Sequence, residues 1–121
     1  MSIALWVLQG LLAFHTITGA LWKLSNPSQT VPSLSAIPAG AWKGLSVVEV
    51  FVAAAFLLPA LAGSLGFLAP VAAFAIVAEM LLFTAVHLRS GDPNRGPIAY
   101  WLVVAGLCGL IAFGRLVLAP L

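Results

Sequence analysis

Three side chains able to exchange protons stand in stretches that are otherwise nearly all apolar. Glu49 is the one charge in GLSVVEVFVAAAFLLPAL (Gly44 to Leu61), Glu79 follows the apolar run VAAFAIVA, and His15 sits within LLAFHTITGA. A lone carboxylate among valines, alanines and phenylalanines is costly unless it is paired, protonated or hydrated. Two carboxyl groups and an imidazole in one dry place are an acid–base set. Like charges and desolvation oppose ionising both carboxyls, so one is expected to keep its proton and act as an acid while its neighbour acts as a base.

That reading requires elements that bring the three groups together. The chain has 121 residues, 63% hydrophobic and 7% charged, and its mean hydropathy is +1.17. A soluble domain carries about 25% charged residues. The composition therefore predicts an integral membrane protein, a single all-α transmembrane four-helix bundle over residues 1–121. The spans are expected at about 3–24, 41–61, 65–88 and 98–118. Residues 1–22 are apolar without a basic leader, so they read as a first transmembrane helix rather than a cleaved signal. Between spans one and two, SNPSQTVPSLSAIPAG carries Pro27, Pro32 and Pro38, which forbid a continuous helix. Its Val31, Leu34 and Ile37 suggest a segment lying on the bilayer or capping the bundle.

Helical rise converts these boundaries into depth. Glu49 is eight residues in from Ala41, Glu79 nine in from Leu88, and His15 nine in from Leu24. At 1.5 Å per residue all three lie roughly 12–14 Å below one face, with Cys108 near roughly 15 Å. Groups placed at one depth on three spans point inward to a shared polar cavity. Nearer the face, Lys23, His87, Thr84 and Tyr100 are expected to line its mouth. Phe14, Phe51, Phe56, Phe83 and Tyr100 offer aromatic faces at suitable levels.

Each residue also has a structural reading. His15 can bond a carbonyl or Thr18, a Glu can pair with a basic residue as helix glue, and Lys23 and Lys43 can snorkel to headgroups. Arg115 reads as an interfacial anchor, and Trp6, Trp22, Trp42 and Trp101 as an aromatic belt. Five Lys and Arg without a basic run exclude a nucleic-acid footprint, and the single Cys108 excludes an internal disulfide or CxxC redox pair. No ExxH or HExxH spacing occurs, so no metal site is expected. Lys23, Lys43, Arg89 and Arg95 lie at one face and only Arg115 near the other. The positive-inside rule makes the first face cytoplasmic, with both termini outside a bacterial-type plasma membrane.

Along about Leu11 to Arg115 the chain resembles the DoxX-like family of small four-helix membrane proteins. The resemblance is carried by GALWKL (Gly19 to Leu24), the Glu of GLSVVEV (Gly44 to Val50) and LLPALAGSLGFLAPVAAF (Leu57 to Phe74). EMLLFTAVHLRSGDP (Glu79 to Pro93) and the closing FGR (Phe113 to Arg115) extend it. The resemblance places Lys23, Glu49, His87 and Arg115 at the family's recurrent polar positions. It implies a quinone-linked redox subunit or a membrane assembly partner. His15 and Glu79 depart from the family pattern, which is apolar at both places.

Three functions follow as expectations. The first is a membrane enzyme of the isomerase, cyclase or epoxide-opening type, acting on an isoprenoid-like lipophilic molecule without a cofactor. Glu49, Glu79 and His15 would do the chemistry, with Lys23, His87, Phe83, Thr84 and Tyr100 holding substrate. The second is a redox subunit that binds quinone. The third is a non-catalytic partner of another membrane protein, or of a second copy of this chain, in which the polar layer is glue.

Overall fold

A computed structural model describes residues 2–120, and among them the regular elements are all helical. Four α-helices follow one another: α1 Ser2–Ser25, α2 Ala39–Leu57, α3 Leu68–Ser90 and α4 Gly96–Phe113. Short 3₁₀ turns at Ser28–Thr30, Pro32–Leu34, Leu58–Ala60 and Gly63–Leu65 make the connections. A widened π turn, Gly114–Leu118, prolongs α4. With these extensions, four helices are long and apolar enough to cross a membrane.

Proline sets several boundaries. Pro70 falls in the first turn of α3, which begins at Leu68 after a 3₁₀ turn, so its missing N–H belongs to a group unpaired at any helix start. Pro97, the second residue of α4, likewise falls in a first turn. At the other end of α3, Gly91 adopts φ 78°, the left-handed cap that ends a helix, and its N–H bonds Leu88 O at 3.3 Å. Asp92 Oδ1 and Asn94 Oδ1 then accept the N–H groups of Asn94 and Gly96, which turns the chain into α4.

The helices pack as two hairpins, α1 with α2 and α3 with α4, joined through α2 against α3. The seam between α1 and α4 is the slightest of these packings. Leu12, Phe56, Ile76, Phe83, Val104 and Ile111 meet in the core. The outward faces are hydrocarbon too: Ile3, Phe14, Phe51, Phe74, Val103 and Val117 are all more than half exposed. An all-round apolar helix is what lipid permits, and small residues such as Ala20, Ala69 and Ala73 bring the backbones together.

The link between α1 and α2 caps the bundle. Leu34 and Ile37 are buried in the core, and Ser28 Oγ donates to Ile37 O at 2.9 Å. Two of the four tryptophans correct the aromatic-belt reading. Trp42 and Trp101 are buried and flank Phe83, with ring centroids 6.1 and 5.8 Å from it. A tryptophan can leave the interface when its N–H finds a partner inside, and Trp42 Nε1 donates to Asn26 O at 2.8 Å. Arg115 is buried as well, contrary to an anchor's place at the interface. Its Nε donates to Gln9 Oε1 at 2.6 Å, its Nη1 to Ser2 Oγ and Ala119 O, and its guanidinium lies 5.1 Å from the Trp6 ring centre. Those partners replace water, so the charge does not need the surface.

Candidate functional site

Side chains on a helix lean toward its N-terminus. Lys23 stands in the last turn of α1, so its long stem leans away from the nearby bundle end and into the bundle. Glu49 stands ten positions into α2, which runs the opposite way, so its side chain leans back toward that end. The two meet. Lys23 Nζ donates to Glu49 Oε1 at 2.6 Å and to Oε2 at 3.0 Å. Glu79, from the middle of α3, brings its Oε1 to 3.9 Å from the same ammonium. One cation thus stands against two carboxyl groups from two helices.

The surroundings of this triad are dry. The side chains of Lys23, Glu49 and Glu79 are 12%, 4% and 5% exposed. Lys23 Nζ also lies 5.4 Å from the Phe83 ring centre and 5.8 Å from that of Trp42, distances at which an aromatic face attracts a cation. Glu79 Oε1 is buried and has no hydrogen-bond partner among the described residues. A buried unpaired oxygen costs about 1–3 kcal/mol, so it marks a group held there against its own solvation.

A cavity of about 380 Å³ opens beside the triad. His15, Lys23, Glu49, Phe83 and Tyr100, five of the eight site residues expected from the sequence, share its wall. His15 Nε2 and Tyr100 Oη are hydrogen-bonded across the α1–α4 seam, with ring centroids 5.6 Å apart. Glu79 is not itself in the wall and stands next to Lys23, which is. Thr84 lies away from the wall and donates its hydroxyl to Met80 O, one turn back in α3, at 2.9 Å. His87 lies away from it too, fully buried, with Nδ1 against Ser33 Oγ at 2.6 Å and Nε2 against Asn94 O at 2.7 Å. It clamps the two links at that end of the bundle. Of the other aromatic candidates, Phe14 and Phe51 face outward at 70% exposure, and Phe56 is packed in the core.

Two polar residues join the picture without having been singled out by type and depth. Thr16 lines the cavity next to His15; a threonine in a membrane helix usually satisfies itself on its own backbone, so it gives little signal. Gln9 is wholly buried, donates to Phe56 O at 2.9 Å and accepts from Arg115. A glutamine in an apolar span is a signal, since its amide must be paired in lipid. Its partner Arg115 lies 106 positions away. Among the described residues, no three His, Cys, Asp or Glu side chains converge as metal ligands would.

The sequence model of the DoxX-like family matches residues 7–113. Neither a curated protein nor a solved structure matches the chain.

Proposed function

This chain belongs to the DoxX-like family of membrane proteins, and from that premise we propose that it is a membrane enzyme whose Lys23–Glu49–Glu79 cluster performs acid–base chemistry on a lipophilic small molecule. The observation that carries the proposal is one ammonium set between two carboxyl groups in the wall of a cavity. In a low-dielectric interior the least costly state is charge-neutral, with Lys23 cationic, one carboxyl ionised and one protonated. The cluster therefore holds one carboxyl proton to lend.

Glu49 lines the cavity and is the group placed to touch substrate. Glu79, beside Lys23 and Glu49, is a positioning residue that holds the proton, passes it to Glu49 for delivery to substrate and takes one back from Glu49 afterwards. Delivery of a proton to one carbon of an alkene and removal of a proton from a neighbouring carbon shifts the double bond. Opening of an epoxide by the same acid and loss of a neighbouring proton gives an allylic alcohol. Neither reaction needs a co-reactant, and both pass through developing positive charge that the faces of Phe83 and Trp101 favour.

The arginines and lysines support the cytoplasmic assignment of the face at the ends of α1 and α3. Lys43, Arg89 and Arg95 are exposed there, while Arg115 is buried and Lys23 is engaged in the cluster.

The test is turnover of isoprenoid alkenes and epoxides by the purified full chain in D₂O, with products read by mass spectrometry. Deuterium is expected on carbon in the alkene product, and not in the allylic alcohol, whose new proton sits on an exchangeable hydroxyl; Glu49→Gln is expected to lower the rate by about 10²–10⁴-fold. Glu79→Gln should reduce deuterium entry and Glu79→Asp should restore part of it. A folded Glu49→Gln variant with full turnover overturns the reading, as does a quinone that co-purifies at one per chain.

A further inference from the structure

The cavity has an apolar neighbour. Between α1 and α4 runs a groove of about 500 Å³, walled by Leu8, Leu11, Leu12, Val103 and Leu107. Its polar side chains are His15 and Tyr100, and these two, with Val104, also line the polar cavity. The hydrogen-bonded His15–Tyr100 pair is therefore the partition between a polar chamber and a hydrocarbon trough. The trough lies along the seam where the helices pack most lightly. It extends from Tyr100 to Leu107, roughly 10 Å or two helical turns, away from the bundle end that holds Lys23.

We infer that the α1–α4 seam is a lateral binding groove for the hydrocarbon tail of an uncharged amphiphile, whose polar head lies in the cavity against Lys23 and Glu49. The inference rests on the acid–base reading for the role of the head and adds the class of substrate. Continuity of the two spaces through shared residues argues for one elongated ligand. The charges select its head. The cavity's cation already donates to both oxygens of Glu49, so a phosphate or carboxylate head would meet a carboxylate with no free cation. An ammonium head would meet Lys23. A hydroxyl, carbonyl or epoxide can instead take up the hydrogen bonds that His15 and Tyr100 now give each other.

The bundle contains its own control. A groove of about 490 Å³ between α2 and α3, lined by Leu45, Val48, Leu82 and Val86, is as apolar and shares no lining residue with the cavity. With no link to the cavity, it serves as the reference for ordinary lipid contact.

The experiment uses the full chain in lipid nanodiscs and three photoreactive probes. All carry the same fifteen-carbon isoprenoid-type tail with a mid-tail diazirine, and they end in an alcohol, a carboxylate or a monophosphate. The alcohol is expected to label the segments 8–12 and 103–107 about tenfold more than the α2–α3 groove, and unlabelled alcohol should compete. Leu107→Trp, which fills the trough, should cut that labelling about tenfold, while Val86→Trp leaves it unchanged. Equal labelling of both grooves, or equal labelling by all three heads, overturns the inference. Labelling is read without turnover. A chain that labels the α1–α4 groove and converts nothing overturns the acid–base reading and leaves the groove standing; full turnover by an unlabelled chain does the reverse.

Discussion

Lys23 and Glu49 are 26 positions apart and are joined by two hydrogen bonds, 2.6 and 3.0 Å long, in the interior of the bundle. The pair ties the end of α1 to the middle of α2. It also holds the wall of the cavity in a fixed shape, because both ends of the bond are anchored on helices.

Removing one partner of this pair should cost far more than removing both. Lys23→Met leaves Glu49 and Glu79 without their cation and is expected to destabilise by about 3–5 kcal/mol. The double variant Lys23→Met with Glu49→Leu should recover most of that loss. Thermal unfolding in detergent, run as a double-mutant cycle, checks the coupling; strictly additive losses contradict it.

The Arg115 cluster should behave as structure and not as site. Gln9→Ala strips the guanidinium of its Nε partner and leaves Phe56 O unpaired, at a cost of about 1–3 kcal/mol. Arg115→Lys should be nearly as damaging, since an ammonium cannot reproduce a fork that reaches Gln9, Ser2 and Ala119 in different directions. Labelling by the alcohol probe should be unchanged in both variants at temperatures where they remain folded.

His87 should matter to the links and little to the cavity. His87→Ala leaves Ser33 Oγ and Asn94 O unpaired and opens a void beside Trp101, whose ring centre is 5.6 Å from the imidazole. A loss of about 2–4 kcal/mol is expected. Limited proteolysis should then cut faster within residues 26–38, with turnover per folded molecule preserved.

At Gly114 the Leu5 side chain leaves no room for a Cβ. A methyl group there would sit 2.6 Å from Leu5 Cδ2, and Leu5 is itself buried. Gly114→Ala is expected to cost about 1–3 kcal/mol by overpacking. Combined with Leu5→Ala, the loss should fall short of the sum by about 1 kcal/mol, read from unfolding of the four chains of the cycle.

The depth of the polar groups was legible in the sequence, and their direction was not. A residue's level in a membrane helix follows from counting at 1.5 Å per residue, so spacing alone predicts a common layer for Glu49, Glu79 and His15. Lys23 was legible only as a basic residue near a helix end. That its stem turns inward to meet Glu49 depends on the antiparallel packing of α1 on α2. Trp42, Trp101 and Arg115 have the residue types and positions of an interface belt, yet each finds an internal partner and is buried.

By itself, then, the sequence determined four membrane-crossing helices and their approximate ends, and predicted a shared level for the ionisable groups. Lipid penalises unpaired backbone and exposed charge, and that penalty is written into composition and spacing. Which face of each helix turns inward was decided by the tertiary structure alone. Helices apolar on every side carry no stripe to mark their buried face, so only packing settles that Glu49 lines a cavity, that Glu79 stands beside Lys23, and that His15 and Tyr100 close the seam between α1 and α4.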